Sequence, residues 1–277
     1  MTIVHASDLH FGPHHYPEAA EAFATIVSQL DPQLVVASGD FTHRANRKQF
    51  TEAKNYLASL TKAPTLVTPG NHDVPLYTFW RRLFYPYREF RTAFGANGDF
   101  EVRGKGFDAV ILDTTAPYLR ITEGRLARRQ VEFLRTAFRN ASAPLRMMVC
   151  HHPIAKPDDW KYGRSVDPNR DALTVMVDHG VELILGGHLH RSFSMEAAPG
   201  LYIIHSGTTT STRGRSEERA MQTFNRIRVT PTAFELEVFS FNAHKGSFET
   251  LRKSELPRRE PLQNRSNTPM EKAASGI

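Results

Sequence analysis

The chain is 277 residues long, 40% hydrophobic and 23% charged, and 35 Lys/Arg against 29 Asp/Glu leave it at +6. That apolar share supports a packed core and excludes a disordered chain, while a lone cysteine, Cys150, excludes a disulfide framework and any multi-thiolate zinc site. No apolar run approaches the roughly 20 residues of a membrane-spanning helix, and MTIVHASD lacks the basic-then-apolar order of a secretory signal, so a soluble, cytoplasmic protein is expected.

In chain order, apolar and β-branched runs predict strands at 2–6, 34–38, 65–68, 109–112, 145–150, 181–185 and 201–205. Several are continuous rather than alternating, as in strands buried on both faces. Helical patterns lie between them. One covers 19–30 after Pro17 and Glu18. Another covers 48–60, where Phe50, Ala53, Leu57 and Leu60 share a face. Two more cover 127–138 and 171–179, the last stopped by Gly180. Runs 222–229 and 233–241 alternate like a hairpin about Thr230 and Pro231. The stretch 245–277 holds seven Lys/Arg against four Glu and has almost no apolar periodicity. The expectation is one layered α/β domain over 1–243, followed by a basic, disordered tail over 244–277.

Five polar segments each follow a predicted strand: Asp8-Leu9-His10, Gly39-Asp40, Gly70-Asn71-His72-Asp73, His151-His152-Pro153 and Gly187-His188-Leu189-His190. Ligands of open α/β sheets gather at the carboxyl ends of strands, so these distant loops can converge. Carboxylate, imidazole and amide donors without soft sulfur suit Mn, Fe, Zn, Co or Ni. Seven such donors are too many for one tetrahedral ion and enough for two ions sharing a bridge. Any one segment alone is weak, since a buried histidine is usually satisfied by a carbonyl and an Asn after Gly usually marks a turn. Their conjunction carries the signal.

The ordered set resembles the calcineurin-like metallophosphoesterase superfamily, most closely its bacterial cyclic-nucleotide phosphodiesterase-like branch, over 8–190. The resemblance implies a four-layer αββα sandwich of two mixed sheets flanked by helices. It implies one metal on Asp8, His10, Asp40 and His190, and a second on Asp40 as bridge with Asn71, His151 and His188. His151 is taken over its neighbour His152. A hydroxide shared by the ions would attack phosphorus, with His72 contacting the phosphate and protonating the leaving oxygen while Asp73 orients its ring.

The substrate is less legible. A phosphodiesterase on a nucleotide or other small phosphodiester is the leading expectation. A UDP-2,3-diacylglucosamine pyrophosphatase-like enzyme and a phosphomonoesterase are alternatives, and a non-catalytic scaffold of the same fold is remote. His43 stands where the superfamily often has an acid; with Arg44 and Arg213 it forms a candidate substrate-binding set, although solvation is the plainer reading of Arg213 and Arg215. Residues 154–170, with Trp160, Tyr162 and Arg164, are long enough for a lid. In YTFWRRLFYPYREFRTAF (77–94), eight residues are aromatic and four are arginine. Two short helices capping one end of the sheets are favoured there, over a base-stacking wall and over an interfacial patch, so membrane contact ranks low. No nucleic-acid or protein partner is indicated.

Overall fold

The computed structural model describes residues 1–95, 98–118, 122–155, 157 and 170–259. Two six-stranded mixed sheets face each other. The first contains β1 (Thr2–Ala6), β2 (Leu34–Ala37), β3 (Thr65–Val67), β10 (Thr223–Val229), β11 (Ala233–Asn242) and β12 (Ser247–Pro257), in the order β12-β11-β10-β1-β2-β3. The second contains β4 (Phe100–Gly104), β5 (Phe107–Ile111), β6 (Leu145–Val149), β7 (Leu183–Gly186), β8 (Phe193–Ala198) and β9 (Leu201–His205), in the order β4-β5-β6-β7-β9-β8. β1–β2–β3 run parallel, as do β5–β6–β7–β9.

Strand alternation divides the core into three apolar layers. Ile3, Val36, Ile111, Met147, Leu185 and Phe234 meet between the sheets. Their sequence neighbours face outward. Val4, Val35 and Ala37 pack under α1 (Pro17–Leu30) and α2 (Arg47–Leu60), whereas Val110, Met148 and Ile184 pack under α5 (Arg128–Arg139) and α6 (Arg170–Asp178). Both faces of the central strands are therefore dry, which explains their unbroken apolar runs. Helix α1 starts with Pro17 in its first turn, and the Asn46 side chain caps α2 by accepting from Gln49 N at 3.0 Å. Cys150 is a buried packing residue of the outer layer, its thiol pushed up to about 12 by burial. The four-layer sandwich is as expected.

The expected tail boundary is corrected. Residues 247–257 form β12, which pairs along β11, and Lys253 reaches Glu237 at 3.2 Å. Just beyond the strand, Arg258 donates to Glu182 at 2.6 Å and lies 5.1 Å over the Phe234 ring, tying the sheets together. β12 is mostly exposed and needs no apolar pattern, because β11 supplies its ladder. The rest of the expected tail, 260–277, lies outside the described residues, as does most of the expected lid. Strands β4 and β8, which apolar patterning does not predict, likewise lie on sheet edges.

One polar group interrupts the inter-sheet layer. Asn225 Nδ2 donates to the His205 carbonyl at 3.0 Å and so also faces His5 Nδ1 at 3.3 Å, leaving His5 Nε2–H for Ser38 Oγ at 3.0 Å. Only the neutral ring fits, and burial followed by the nearby His205 lowers its pKa from 6.5 to about 3. Below about pH 6.5 the unfolded chain therefore binds a proton that the native chain refuses, and stability falls with pH toward about 3 by up to ~1.4 kcal/mol per pH unit. Urea titrations from about pH 7 to 5 should give a steeper slope for wild type than for His5→Gln. Separately, Arg258→Ala, which strands the buried Glu182 carboxylate, should cost roughly 3–5 kcal/mol in the same measurement.

Candidate metal centre

Every predicted ligand leaves the carboxyl end of a parallel strand: Asp8 and His10 after β1, Asp40 after β2, Asn71 after β3, His151 after β6, His188 and His190 after β7. Asp8, His10, Asp40, His188 and His190 all have left-handed backbone, with φ between 48° and 71°. Such conformations cost L-residues about a kilocalorie or more each and persist where the surroundings impose them. Here the imposing contacts are long-range. Asp8 N donates to Gly39 O at 3.0 Å and His10 N to Asp40 O at 2.9 Å, while Thr208 Oγ1 donates to Asp8 O at 2.6 Å. Two glycines let the loops close: a Cβ on Gly70 would strike Asp40, and one on Gly187 would strike Ser7 and Asp8.

The donors form two adjoining sets. In the first, His190 Nε2 is 3.0 Å from Asp8 Oδ1 and 3.2 Å from His10 Nε2, and His10 Nε2 is 3.7 Å from Asp40 Oδ2. All four residues are buried, with ligating atoms within 4.8 Å of one another. In the second, Asn71 Oδ1 is 2.9 Å from His188 Nδ1 and 3.3 Å from His151 Nε2. His151 Nε2 in turn lies 3.5 Å from Asp40 Oδ2. That same Asp40 oxygen faces both sets, because the backbone N–H of His72 holds the other, Oδ1, at 2.7 Å.

Several ligands are oriented from behind. His151 Nδ1 donates to Ser38 O at 2.7 Å and His190 Nδ1 to Arg213 O at 2.5 Å, so each turns Nε2 inward. Asp8 Oδ2 accepts from Ser7 Oγ at 2.6 Å and His188 N at 3.0 Å. The oxygens left over, Asp8 Oδ1 and Asp40 Oδ2, are buried without a hydrogen-bond partner. Burial works to raise both carboxyls, yet His190 and His10 around Asp8, and His151 and His72 around Asp40, hold them well below the usual range. Burial lowers His10 to about 3 and lowers His188 well below its ordinary value. Burial works to lower His151, but the charge and hydrogen bond of Asp40 raise it to about 9, so a bound ion would displace a proton there. Ionised carboxylates, two uncovered oxygens and imidazoles in a sulfur-free set fit a pair of divalent first-row ions.

His151 is the histidine that meets Asp40 and Asn71. His152 bonds Thr114 Oγ1 at 3.0 Å through Nδ1, with its ring 4.7 Å from His188 and its Nε2 unpartnered. Sequence reasoning set His152 aside; the structure keeps it as an extra donor beside the second set.

The role expected for Asp73 is corrected. Its carboxylate accepts from Phe41 N at 3.2 Å, Thr42 N at 3.0 Å and Gly70 N at 2.9 Å, so it stitches the β2 and β3 loops together and does not bond the His72 ring. Burial, then the charge of Asp40, raises it to about 7. His72 is oriented instead by the His43 carbonyl, 3.1 Å from its Nδ1. Its Nε2 faces Arg213 Nη1 at 3.1 Å, and the same guanidinium nitrogen is 3.3 Å from His43 Nδ1. Arg213 is thus no solvated loop residue. Threonines 208, 209 and 210 strap its loop onto the β1 loop. Arg44 is exposed, its guanidinium 4.7 Å over the Tyr77 ring, and His14, which sequence reasoning missed, stacks edge-on to His43 at 4.7 Å.

Two donor sets sharing one carboxylate, at the strand ends of two facing mixed sheets, define a dinuclear metallohydrolase architecture. The calcineurin-like phosphoesterase family model matches residues 1–192, and the chain belongs to that family. In fold it is similar to a dimetal phosphatase from Danio rerio, at TM-score 0.64 and 13% identity, covering 94% of this chain and 99% of that one. It is also similar to a purple acid phosphatase from yellow lupin seeds, at TM-score 0.71 and 13% identity, covering 99% of this chain and 57% of that one. A third likeness is to the anchor of the Plasmodium inner membrane complex, at TM-score 0.66 and 12% identity, covering 95% and 90%. Comparison with curated protein sequences returns no match.

Asp40→Ala should lose both ions together in plasma emission spectrometry, because both sets use its Oδ2. Gly70→Ala should also lower metal retention, with the circular dichroism of the fold kept.

Proposed function

We propose that the chain is a dinuclear-metal phosphodiesterase acting on a nucleotide or other small phosphodiester. The observation that carries this reading is the convergence of two donor sets on Asp40 with His72 and Arg213 directly alongside. Asp8, His10, Asp40 and His190 would hold one ion, and Asp40, Asn71, His151 and His188 the other. Bound there, the ions supply Lewis-acid activation of water and of phosphoryl oxygens at neutral pH.

The chain's own residues do the rest. Arg213 is half-buried and offers its fork to a phosphoryl oxygen. Among the described residues it is the guanidinium that contacts His72, and one such cation matches the single charge of a diester better than the two of a monoester. His72 is neutral at rest: burial is the main cause of its lowered pKa, and Nδ1–H is committed to the His43 carbonyl. Once Arg213 has turned from that nitrogen to the phosphate, the free Nε2 takes the proton released by the attacking water and passes it to the leaving oxygen. His43, beside Arg213, and the exposed Arg44 of the same loop would meet the ester group. Every ligand position holds a competent donor, which speaks against a scaffold that has lost its metals.

With Mn²⁺ added, bis-p-nitrophenyl phosphate should be hydrolysed faster than p-nitrophenyl phosphate, and a cyclic-nucleotide panel would narrow the substrate; monoester preference would overturn the diesterase assignment. His72→Ala should cut kcat by about 10²–10⁴-fold with metal content intact. Arg213→Ala should raise KM and lower kcat.

A further inference from the structure

The segment after the metal centre departs from its expected role as a cap on the sheets. It does form two short helices, α3 (Phe79–Phe84) and α4 (Arg88–Phe94). Helix α4 buries Phe90 against Phe41 and Phe50, but α3 buries nothing. Tyr77, Phe79, Trp80, Phe84 and Tyr85 are 58–75% exposed, and so is Tyr118 at 72%, its hydroxyl reaching Leu83 O at 3.3 Å. Trp80 and Phe84, one turn apart, stack on each other at 5.7 Å with planes 8° apart, and Phe79 meets Trp80 edge-on. Large aromatics clustered in water form an interaction surface rather than a scatter of single exposed residues.

The charges around this ridge define its partner. Segment 77–94 holds Arg81, Arg82, Arg88 and Arg91 against one acid, Glu89, which pairs with Arg81 at 2.7 Å. Arg88 and Arg91 are exposed and, with Phe84, Tyr85, Pro86 and Tyr87, line a groove of about 490 Å³ beside the ridge. Arg44 adds a further cation over Tyr77. Amphipathic aromatics rimmed by arginines are what the headgroup layer of an anionic bilayer accepts: rings at the acyl boundary, guanidinium groups on lipid phosphates. A second copy fits less well, because a two-fold contact would set this cationic rim against itself. A single-stranded nucleic acid also fits less well, because the Trp80 and Phe84 faces it would stack on are turned toward each other.

We propose that the 77–85 ridge with Tyr118 docks the protein on an anionic phospholipid surface. The inference goes beyond the hydrolase reading and does not rest on it. The Arg44–Tyr77 contact ties the ridge to the loop that carries Asp40.

The test uses the full chain. In a Trp160→Phe background Trp80 is the one tryptophan remaining of two. Its emission should shift to the blue with vesicles of phosphatidylcholine and phosphatidylglycerol in equal amounts, and the protein should sediment with them. Both signals should weaken with salt and with pure phosphatidylcholine vesicles. In a wild-type Trp160 chain, Trp80→Ser with Phe84→Ser should weaken sedimentation at least tenfold. The melting temperature and the hydrolysis of a soluble diester should stay unchanged, since neither side chain is buried. Arg88→Glu with Arg91→Glu should also weaken sedimentation. No emission shift and no sedimentation would overturn the proposal. So would a solution dimer that the Trp80/Phe84 variant dissolves, or tighter binding of a single-stranded oligonucleotide than of vesicles through Trp80.

Discussion

The structure turns on one carboxylate. Asp40 is buried between the ends of two sheets, one oxygen fixed by the His72 backbone N–H and the other left among imidazoles of both donor sets. A buried anion is among the least favourable features a fold can hold even with His151 as its counter-charge, so the surroundings must impose it. They do so with backbone. The β1, β2 and β3 loops hydrogen-bond across to one another, and Asp73 closes them from behind at the expense of its own ionisation. Five ligands accept a left-handed backbone as part of the same arrangement. The site is thus preorganised by strain and by dry electrostatics, and a pair of cations resolves both the charge and the two uncovered oxygens.

Much of this was legible in the residues. Central strands read clearly because both of their faces are apolar, and the ligands read clearly because carboxylate, imidazole and amide recur at strand ends in a fixed order. Of the four edge strands, only β3 was legible. β4, β8 and β12 draw their stability from a neighbour's ladder, so Glu, Lys and Arg serve as well as Val. The basic composition of 245–257 therefore resembled a tail although Arg258 closes the far end of the sandwich.

Roles that depend on distant backbone were equally hidden. Next to His72 in sequence, Asp73 invites pairing with that ring, but its acceptors are spent on Phe41, Thr42 and Gly70. Nothing local in the 208–215 loop shows that threonines will strap it to β1 and so deliver Arg213 to His43 and His72. In the same way, eight aromatics in 77–94 read as covering residues, and only the placement of α3 shows five of those rings facing water. Identity of only 12–13% to solved structures of similar fold agrees with this division, because the topology is kept while most residues differ.

β12 has a consequence for self-association. It borders its sheet over Ser247–Pro257, and its outermost backbone groups have no strand beside them among the described residues. A long exposed border of that kind invites another molecule to extend the sheet. Arg252, Lys253 and Glu255, with Pro257 at the close, furnish charge and a missing donor along that border, so a neighbouring chain in a crowded solution finds no flat apolar template to copy.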